Sequence, residues 1–252
     1  MSIWGKVIGG VAGFAVGGPL GAIIGAVAGH HVVDKKAAGV GKLGHEDKQV
    51  AFTTAVIVLS AKMAKADGVV TREEVNAFKQ LFHIEPDDVV TVGSIFDEAK
   101  QNSEGFEPYA EQIAQMFRGD WHVLEELIGA LFHIAKADGK IHPEEVQYLR
   151  RVALLFGFSD RDFDRLQTIY LGGWKGEGGR SVRADDAYEI LGLTKTAKDG
   201  EIKKAYRDLV RDNHPDMLMA KGMPEEFIEL ANEKLAKIND AYDRIKKERG
   251  LN

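Results

Sequence analysis

The sequence contains no cysteine, and this absence removes two classes of protein. A chain without thiols forms neither a disulfide framework nor a thiolate metal site. Nothing in the composition therefore argues for an oxidising compartment, and a cytosolic location fits the part of the chain outside any membrane.

The motifs of common enzymes are also missing. The chain has no H-E-x-x-H, no Walker A and no G-x-S-x-G motif, and its eight histidines show no metal-ligand spacing. The stretch 39–44 matches G-x-G-x-x-G, but it lacks the flanking strand pattern of a dinucleotide site, so we interpret it as a linker. The sequence predicts that the protein is not an enzyme.

Positive charge is scarce in the middle of the chain. Residues 45–171 carry a clear excess of acidic over basic side chains, whereas the first 44 residues are net positive. An acidic surface repels phosphates, so we expect no nucleic-acid partner.

No charged side chain lies between Lys6 and Asp34, and glycine recurs there at every fourth position. Glycine inside a helix costs about 1 kcal/mol relative to alanine in water. Lipid tolerates such a helix, because no water competes for its backbone, and residues 7–28 are long enough to span roughly 30 Å of hydrocarbon. Small residues on one face let a second helix approach closely. The sequence thus predicts a glycine-zipper membrane helix within residues 1–34 that forms a homodimer, with this packing face: Gly5, Gly9, Gly13, Gly17, Gly21, Gly25 and Gly29.

Two other interpretations of this segment stay open. It could be a flexible glycine-rich tail, or a secretory signal peptide cleaved after the Ala26-Val27-Ala28 sequence. The membrane interpretation gains support from Lys35, Lys36 and Lys42, which follow the apolar run in a juxtamembrane linker, residues 35–46. By the positive-inside rule, we expect an inner (cytoplasmic) membrane protein with the bulk of its chain in the cytoplasm.

An internal repeat lies in the helical region that follows. Residues 64–75 recur as residues 135–146, with eight of twelve positions identical. In each copy a glycine ends one helix, and the next begins with a capping box at Thr71 and Glu74 or with Pro143 in its first turn. Each copy is therefore predicted to be a helix, a tight turn and a helix.

The acidic residues of the repeat have two interpretations. They could approach each other across a pseudo-twofold axis and hold a divalent cation through oxygen ligands, or they could be turn residues and favourable charges at helix N-termini. The repeat resembles the tellurite-resistance TerB family over residues 47–171, which implies an all-helical domain with acidic residues involved in divalent-metal binding. The sequence predicts that no cofactor is required. It leaves open a divalent cation in this domain, and the candidate ligands are Asp67, Glu73, Glu74, Asp138, Glu144 and Glu145.

Glycine interrupts the helical pattern again after residue 171. Residues 172–181 contain five glycines, so we interpret residues 172–184 as a flexible linker and a domain boundary.

The last part of the chain has the pattern of an antiparallel helical hairpin. Residues 186–193 predict a short helix closed by glycine, and residues 201–212 an amphipathic helix with a basic face. Pro215 ends that helix by biasing His214 out of helical geometry. A second long helix is predicted from Pro224, with one apolar stripe. His-Pro-Asp lies in the loop between the two arms.

The stretch from DAYEILGL through EIKKAYRDLVRDNHPD to INDAYDRI resembles the J domain of DnaJ-type co-chaperones over residues 185–252. Together with the N-terminal segment and the TerB-like middle, it is similar to the membrane-anchored DjlA type. The resemblance implies an all-α co-chaperone that docks on a DnaK-type chaperone and stimulates its ATP hydrolysis. It places the trigger and the docking face on these residues: His214, Pro215, Asp216, Lys203, Lys204, Arg207 and Arg211.

Three residues depart from the J-domain pattern. Asp208 and Asp212 interrupt the basic helix, and Asn213 stands where an aromatic residue is common. No Gly/Phe-rich or Cys-x-x-Cys region follows, so the client-binding parts of larger DnaJ proteins are absent from this sequence. The alternative function is a membrane-tethered scaffold or metal-sensing TerB-like protein whose J domain is degenerate.

Overall fold

The computed structural model describes residues 45–66, 72–82, 84, 93, 105–139, 141–172 and 187–251, and over these residues the chain is helical without a β-strand. The all-α prediction is confirmed for this part of the chain. In chain order the helices are α1 (His45–Ala66), α2 (Arg72–Leu81), α3 (Glu107–Met116), α4 (Trp121–Ala135), α5 (Pro143–Leu155), α6 (Asp160–Leu171), α7 (Ala187–Ile190), α8 (Asp199–Asp212), α9 (Pro215–Ala220) and α10 (Ile228–Arg249).

Helix α1 forms the centre of a middle bundle built by α1 to α6. Every residue from Val50 to Ala64 is buried. A helix that is apolar all round needs neighbours on every side, and α1 packs against α3, α4 and α5. The Tyr148 hydroxyl of α5 donates a hydrogen bond of 2.9 Å to the carbonyl of Leu59 and ties the two helices together.

The second copy of the repeat has the predicted helix-turn-helix structure. Helix α4 ends at Ala135, and Gly139 takes a φ of +82°, a left-handed conformation that a side chain would strain. Pro143 then occupies the first turn of α5. In the first copy, α1 ends at Ala66 and α2 begins at Arg72, but the turn between them lies outside the described residues.

The C-terminal hairpin is antiparallel as predicted. The start of α8 lies beside the end of α10, where the Arg249 Nη1 is 3.2 Å from the Asp199 Oδ1. Midway along the hairpin the rings of Tyr206 and Tyr242 stack at 3.9 Å, and the Tyr206 hydroxyl donates to the Asn239 side chain at 3.0 Å. Arg249 also donates to the Tyr188 hydroxyl at 2.8 Å, so α7 is held against the open end of the hairpin.

Two boundaries differ from the prediction. The last helix does not begin at Pro224: a 3-10 turn over Glu225–Phe227 comes first, and the α-helix starts at Ile228. Such 3-10 turns are frequent at helix N-termini. The connection between the arms is not a plain loop either, because Pro215 starts the short helix α9 and Leu218 anchors it in the core.

The hairpin packs on the middle bundle. Helix α10 contacts α4 and α6, and α7 contacts α6. At the entrance to α10 the fully buried ring of Phe227 lies 4.7 Å from Phe52 and 5.3 Å from Phe82, both residues of the bundle. One hydrophobic core therefore runs through bundle and hairpin.

The predicted membrane segment lies outside the described residues, as do the seven glycines of its packing face and most of the predicted linker at 172–184. Within the residues that the structure describes, none of the helices combines the length and the hydropathy needed to cross a bilayer.

Candidate functional site

The His-Pro-Asp tripeptide forms the transition from α8 to α9. After α8 ends at Asp212, His214 takes an extended conformation, with φ −65° and ψ 132°, and becomes the N-cap of α9. The Asp216 amide donates to the His214 Nδ1 at 3.3 Å, and the His214 carbonyl accepts the amide of Met217 at 2.9 Å. The prediction that Pro215 displaces His214 from helical geometry is confirmed.

The tripeptide divides its side chains between core and solvent. Pro215 is buried, whereas the side chains of His214 and Asp216 are 53% and 81% exposed. The His214 Nδ1 and an Asp216 carboxylate oxygen are 3.8 Å apart, so the two polar groups form one exposed pair above an apolar base. Neither of the two contributes to the core, which leaves both available to a partner.

The four basic residues of the predicted docking face lie along α8. Lys204, Arg207 and Arg211 are exposed, and Lys203 is half-exposed. The side chain of Arg207 turns back and donates to the carbonyl of Lys203 at 3.2 Å.

Two carboxylates within this face are paired with its cations. The Lys204 Nζ is 2.8 Å from Asp208, and the Arg211 Nε is 2.8 Å from Asp212. The hydrogen bond from Lys204 lowers the pKa of Asp208, and the hydrogen bond from Arg211 lowers the pKa of Asp212, so both stay ionised near neutral pH. The carboxylates that interrupt the sequence pattern therefore reduce the positive potential of the face.

Asn213 has a structural position that its sequence context does not predict. Its side chain is fully buried, and the Nδ2 donates at 2.8 Å to the carbonyl of Leu209, which also accepts the backbone amide of Asn213 at 3.0 Å. The replacement of an aromatic residue at this position therefore leaves the exposed docking face unchanged.

The acidic repeat places its carboxylates at helix ends. Glu145 is buried, and its Oε2 accepts the amide of His142 at 2.9 Å, which is half of a capping box. Glu73 and Glu74 lie in the first turn of α2, and Glu144 lies in that of α5. Asp138 is half-exposed in the turn after α4.

These carboxylates do not assemble into a cation site in the part of the chain that the structure describes. Over those residues no three histidine, aspartate or glutamate side chains lie close enough together to hold a metal ion. Asp67, the remaining candidate ligand, lies outside them. The cation site stays a prediction. Glu145 has the structural role that the other interpretation gave to it, a favourable charge at a helix N-terminus.

A buried cluster of charged side chains was not predicted from the sequence. Glu125 and Glu126 lie in the apolar helix α4, Arg165 in α6 and Lys234 in α10, and all four are buried. A signal was present in the sequence, because Lys234 falls between Ala231 and Ile238 in the apolar stripe of α10. The stripe alone does not reveal the partner of that lysine, which lies more than 100 residues away.

Three family models match the chain, and together they cover most of it. Residues 1–46 match the co-chaperone DjlA transmembrane domain, residues 53–168 match tellurite resistance protein TerB, and residues 186–249 match the DnaJ domain. The resemblances that the sequence predicted are therefore confirmed. The match of residues 1–46 indicates a membrane-anchored protein.

Several curated proteins are similar over the full length of the chain. A co-chaperone protein DjlA of Shewanella oneidensis is 34% identical over 100% of both chains. A protein of the same name from Photobacterium profundum is 32% identical over 99% of this chain and 100% of its own length. The one from Coxiella burnetii is also 32% identical, over 98% of each chain. No solved structure matches.

Proposed function

The chain belongs to the DjlA family of J-domain co-chaperones, and on that premise we propose that its C-terminal hairpin docks on a DnaK-type chaperone and stimulates ATP hydrolysis by that partner. In this proposal the chain regulates an ATPase and has no catalytic residues of its own. The reaction takes place in the partner, and the hairpin contributes only binding energy.

The observation that carries the proposal is the exposed pair of His214 and Asp216 above the buried Pro215. Two helices that are fixed to each other by the Tyr206–Tyr242 stack hold this pair. A turn held in one conformation loses little entropy on binding, so its contacts contribute their full free energy to affinity. Such an arrangement favours recognition over structure, because neither side chain fills the core.

The basic residues of α8 have a second role in this proposal. An exposed positive face attracts an acidic partner surface and raises the association rate. The ion pairs of Lys204 and Arg211 with Asp208 and Asp212 reduce that attraction. Arg207 is paired with no carboxylate among the described residues, so we propose that it contributes most of the steering.

The test is the ATPase rate of a purified DnaK-type chaperone with the full-length chain reconstituted in lipid nanodiscs. Asp216→Asn and His214→Gln should each abolish stimulation, because losing one member of a charged pair that becomes buried in a complex costs about 2 to 5 kcal/mol, roughly 30-fold to several-thousand-fold in affinity. Asp243→Asn is the matched control, since this exposed aspartate of α10 lies far along the chain from the tripeptide.

One outcome would replace the proposal by the scaffold alternative. If Asp216→Asn protein has the melting temperature of the wild type and still stimulates ATP hydrolysis fully, the tripeptide is not the trigger. The J domain would then be degenerate, and the chain would recruit partners without activating them.

We also propose that residues 1–34 anchor the chain in the inner membrane as a homodimer, with the bulk of the chain in the cytoplasm. The match of residues 1–46 to a transmembrane domain supports the anchor. Lys35, Lys36 and Lys42 support the orientation, because lysines next to a membrane segment are retained on the cytoplasmic side. The fourfold glycine spacing supports the dimer.

A further inference from the structure

The buried charge cluster joins the C-terminal hairpin to the middle bundle. The Lys234 Nζ is 2.7 Å from the Glu125 Oε2 and 2.8 Å from the Glu126 Oε1, and Arg165 donates to the other oxygen of Glu125. The side chains of Lys234, Glu125 and Glu126 are completely buried, and that of Arg165 nearly so. Lys234 is the only member of the cluster that the hairpin supplies.

The charges of the cluster balance only when the hairpin is in place. Two carboxylates face Arg165 and Lys234, and of these two cations the bundle contributes only Arg165. His122 of the bundle also lies 3.8 Å from Glu125, between its Nδ1 and the Oε2, but it adds a positive charge only when it is protonated. A buried charge without a partner is strongly unfavourable. Burial acts to raise the pKa of Glu125, but Arg165 and Lys234 outweigh it and hold that pKa far below its usual range. The bundle therefore offers a negatively charged site that one lysine fills, and in the folded chain this site is buried under the hairpin.

Further contacts surround the cluster on the same side of the hairpin. Phe227, two turns before Lys234, packs against Phe52 and Phe82 of the bundle. One turn after it, Lys237 donates a hydrogen bond to the Ile169 carbonyl at the end of α6. Residues that are three or seven positions apart lie on one helix face, so these contacts lie on either side of the ion pairs of Lys234 along the face that meets the bundle.

The turn that follows α9 also lies close against the bundle. A Cβ atom at Gly222 would lie 2.4 Å from the Lys48 Cβ, so only glycine permits this approach. Lys48 is itself fixed by an ion pair of 2.8 Å with Asp120. Nearby, the buried His122 places its Nε2 3.6 Å from a carboxylate oxygen of Asp212 at the end of α8.

None of these contacts covers the tripeptide. His214 and Asp216 stay exposed, and so do Lys204, Arg207 and Arg211. Hydrogen-bonded buried ion pairs can fix one register between two helices. A slip of one turn along α10 would present Ala231 or Ile238 to the two carboxylates in place of Lys234.

We propose that the lysine site formed by Glu125, Glu126 and Arg165 is a docking site for the chain's own J domain, which recognises Lys234 and holds the tripeptide in one orientation relative to the middle bundle. The occupant is the hairpin of residues 187–251, and the recognition is electrostatic at its centre and apolar around it. This docking does not depend on whether the hairpin activates a chaperone.

The test cuts the covalent link and measures what remains bound. A protease recognition sequence is placed between Gly173 and Arg180 of the full-length chain in nanodiscs. After cleavage, size-exclusion chromatography over a dilution series gives the dissociation constant of the released fragment. We expect the wild-type hairpin to stay with the nanodisc and Lys234→Met to weaken its binding about 30-fold or more. Lys247→Met, an exposed lysine on the same helix, should change nothing.

Charge reversal separates recognition from misfolding. Lys234→Glu and Glu126→Lys should each release the hairpin, and the two changes together should restore binding, because the cluster is then balanced again. Circular dichroism before cleavage checks that each variant keeps its helical content. The proposal is overturned if the wild-type fragment dissociates on cleavage, if Lys234→Met binds like wild type, or if the double reversal does not restore binding.

Discussion

Glu125 offers the sharpest test of how much the buried cluster contributes to the stability of the whole chain. Its carboxylate accepts hydrogen bonds from both cations of the cluster, Arg165 and Lys234. Glu125→Gln keeps the shape of the side chain but removes its charge. Two buried cations then share a single carboxylate, Glu126, and one positive charge is uncompensated.

The expected loss follows from that imbalance. Removing one partner of a buried ion pair costs about 3 to 5 kcal/mol. For a chain of this size each kcal/mol lowers the melting temperature by about 2 to 4 °C, so Glu125→Gln should melt about 6 to 20 °C below wild type. Glu111→Gln, at an exposed glutamate of the same bundle, is the control and should remain within about 2 °C, because surface substitutions change stability by about 0.5 kcal/mol or less.

The pH dependence adds a second, independent readout. The pKa of Glu125 is lowered in the folded chain relative to its ordinary value of 4.5, so its charge stabilises the fold above that pH. This contribution is lost progressively as the pH falls below 4.5, because the unfolded chain then binds the proton more readily. The glutamine variant lacks this term, and its difference from wild type should narrow between pH 5 and 3.

Thermal unfolding followed by circular dichroism at pH 7.5, 5 and 3 measures both effects. A Glu125→Gln protein that melts within 2 °C of wild type at pH 7.5 would refute the role of the cluster. A large difference that is the same at all three pH values would show that the side chain matters through packing and not through its charge.

Three further predictions concern the rest of the chain. Arg207→Glu should slow association with the chaperone most strongly at low salt, and a stopped-flow series that shows the same slowing at high salt would contradict a steering role. Gly13→Leu should weaken self-association in a bilayer reporter assay while Val11→Leu has little effect, and equal effects would rule out the glycine packing face. If the acidic repeat binds a cation, magnesium or calcium should raise the melting temperature, and Asp67→Asn with Asp138→Asn should remove the rise; no rise leaves the carboxylates with their capping role.

The sequence predicts the hairpin well because its determinants are local. The apolar faces of α8 and α10 and the Pro215 signal each act within a few residues, and the structure confirms them. Helix α9 was missed because six residues give too short a window for helical periodicity. The start of the last helix was misplaced because a 3-10 turn and an α-helix share the same favourable residues, and only the backbone distinguishes them.

The docking of the hairpin on the bundle could not be predicted from one sequence. The Lys234 ion pairs join residues 109 and 108 positions apart, and no local pattern identifies such partners.

The role of the acidic repeat could not be predicted from the sequence either. A glutamate three residues after a helix N-cap suits both a capping box and an oxygen ligand, and only the position of Glu145 beside the His142 amide distinguishes the two.

The close approach of Gly222 to Lys48 holds the connection that follows the tripeptide near the start of α1. Lys48 follows the matched transmembrane domain by two residues, and Gly222 lies in the connection that begins with the tripeptide. On the proposed anchoring, the eleven residues from the membrane segment to His45 reach at most about 40 Å. If that anchoring holds, a chaperone bound at His214 and Asp216 is kept close to the membrane surface.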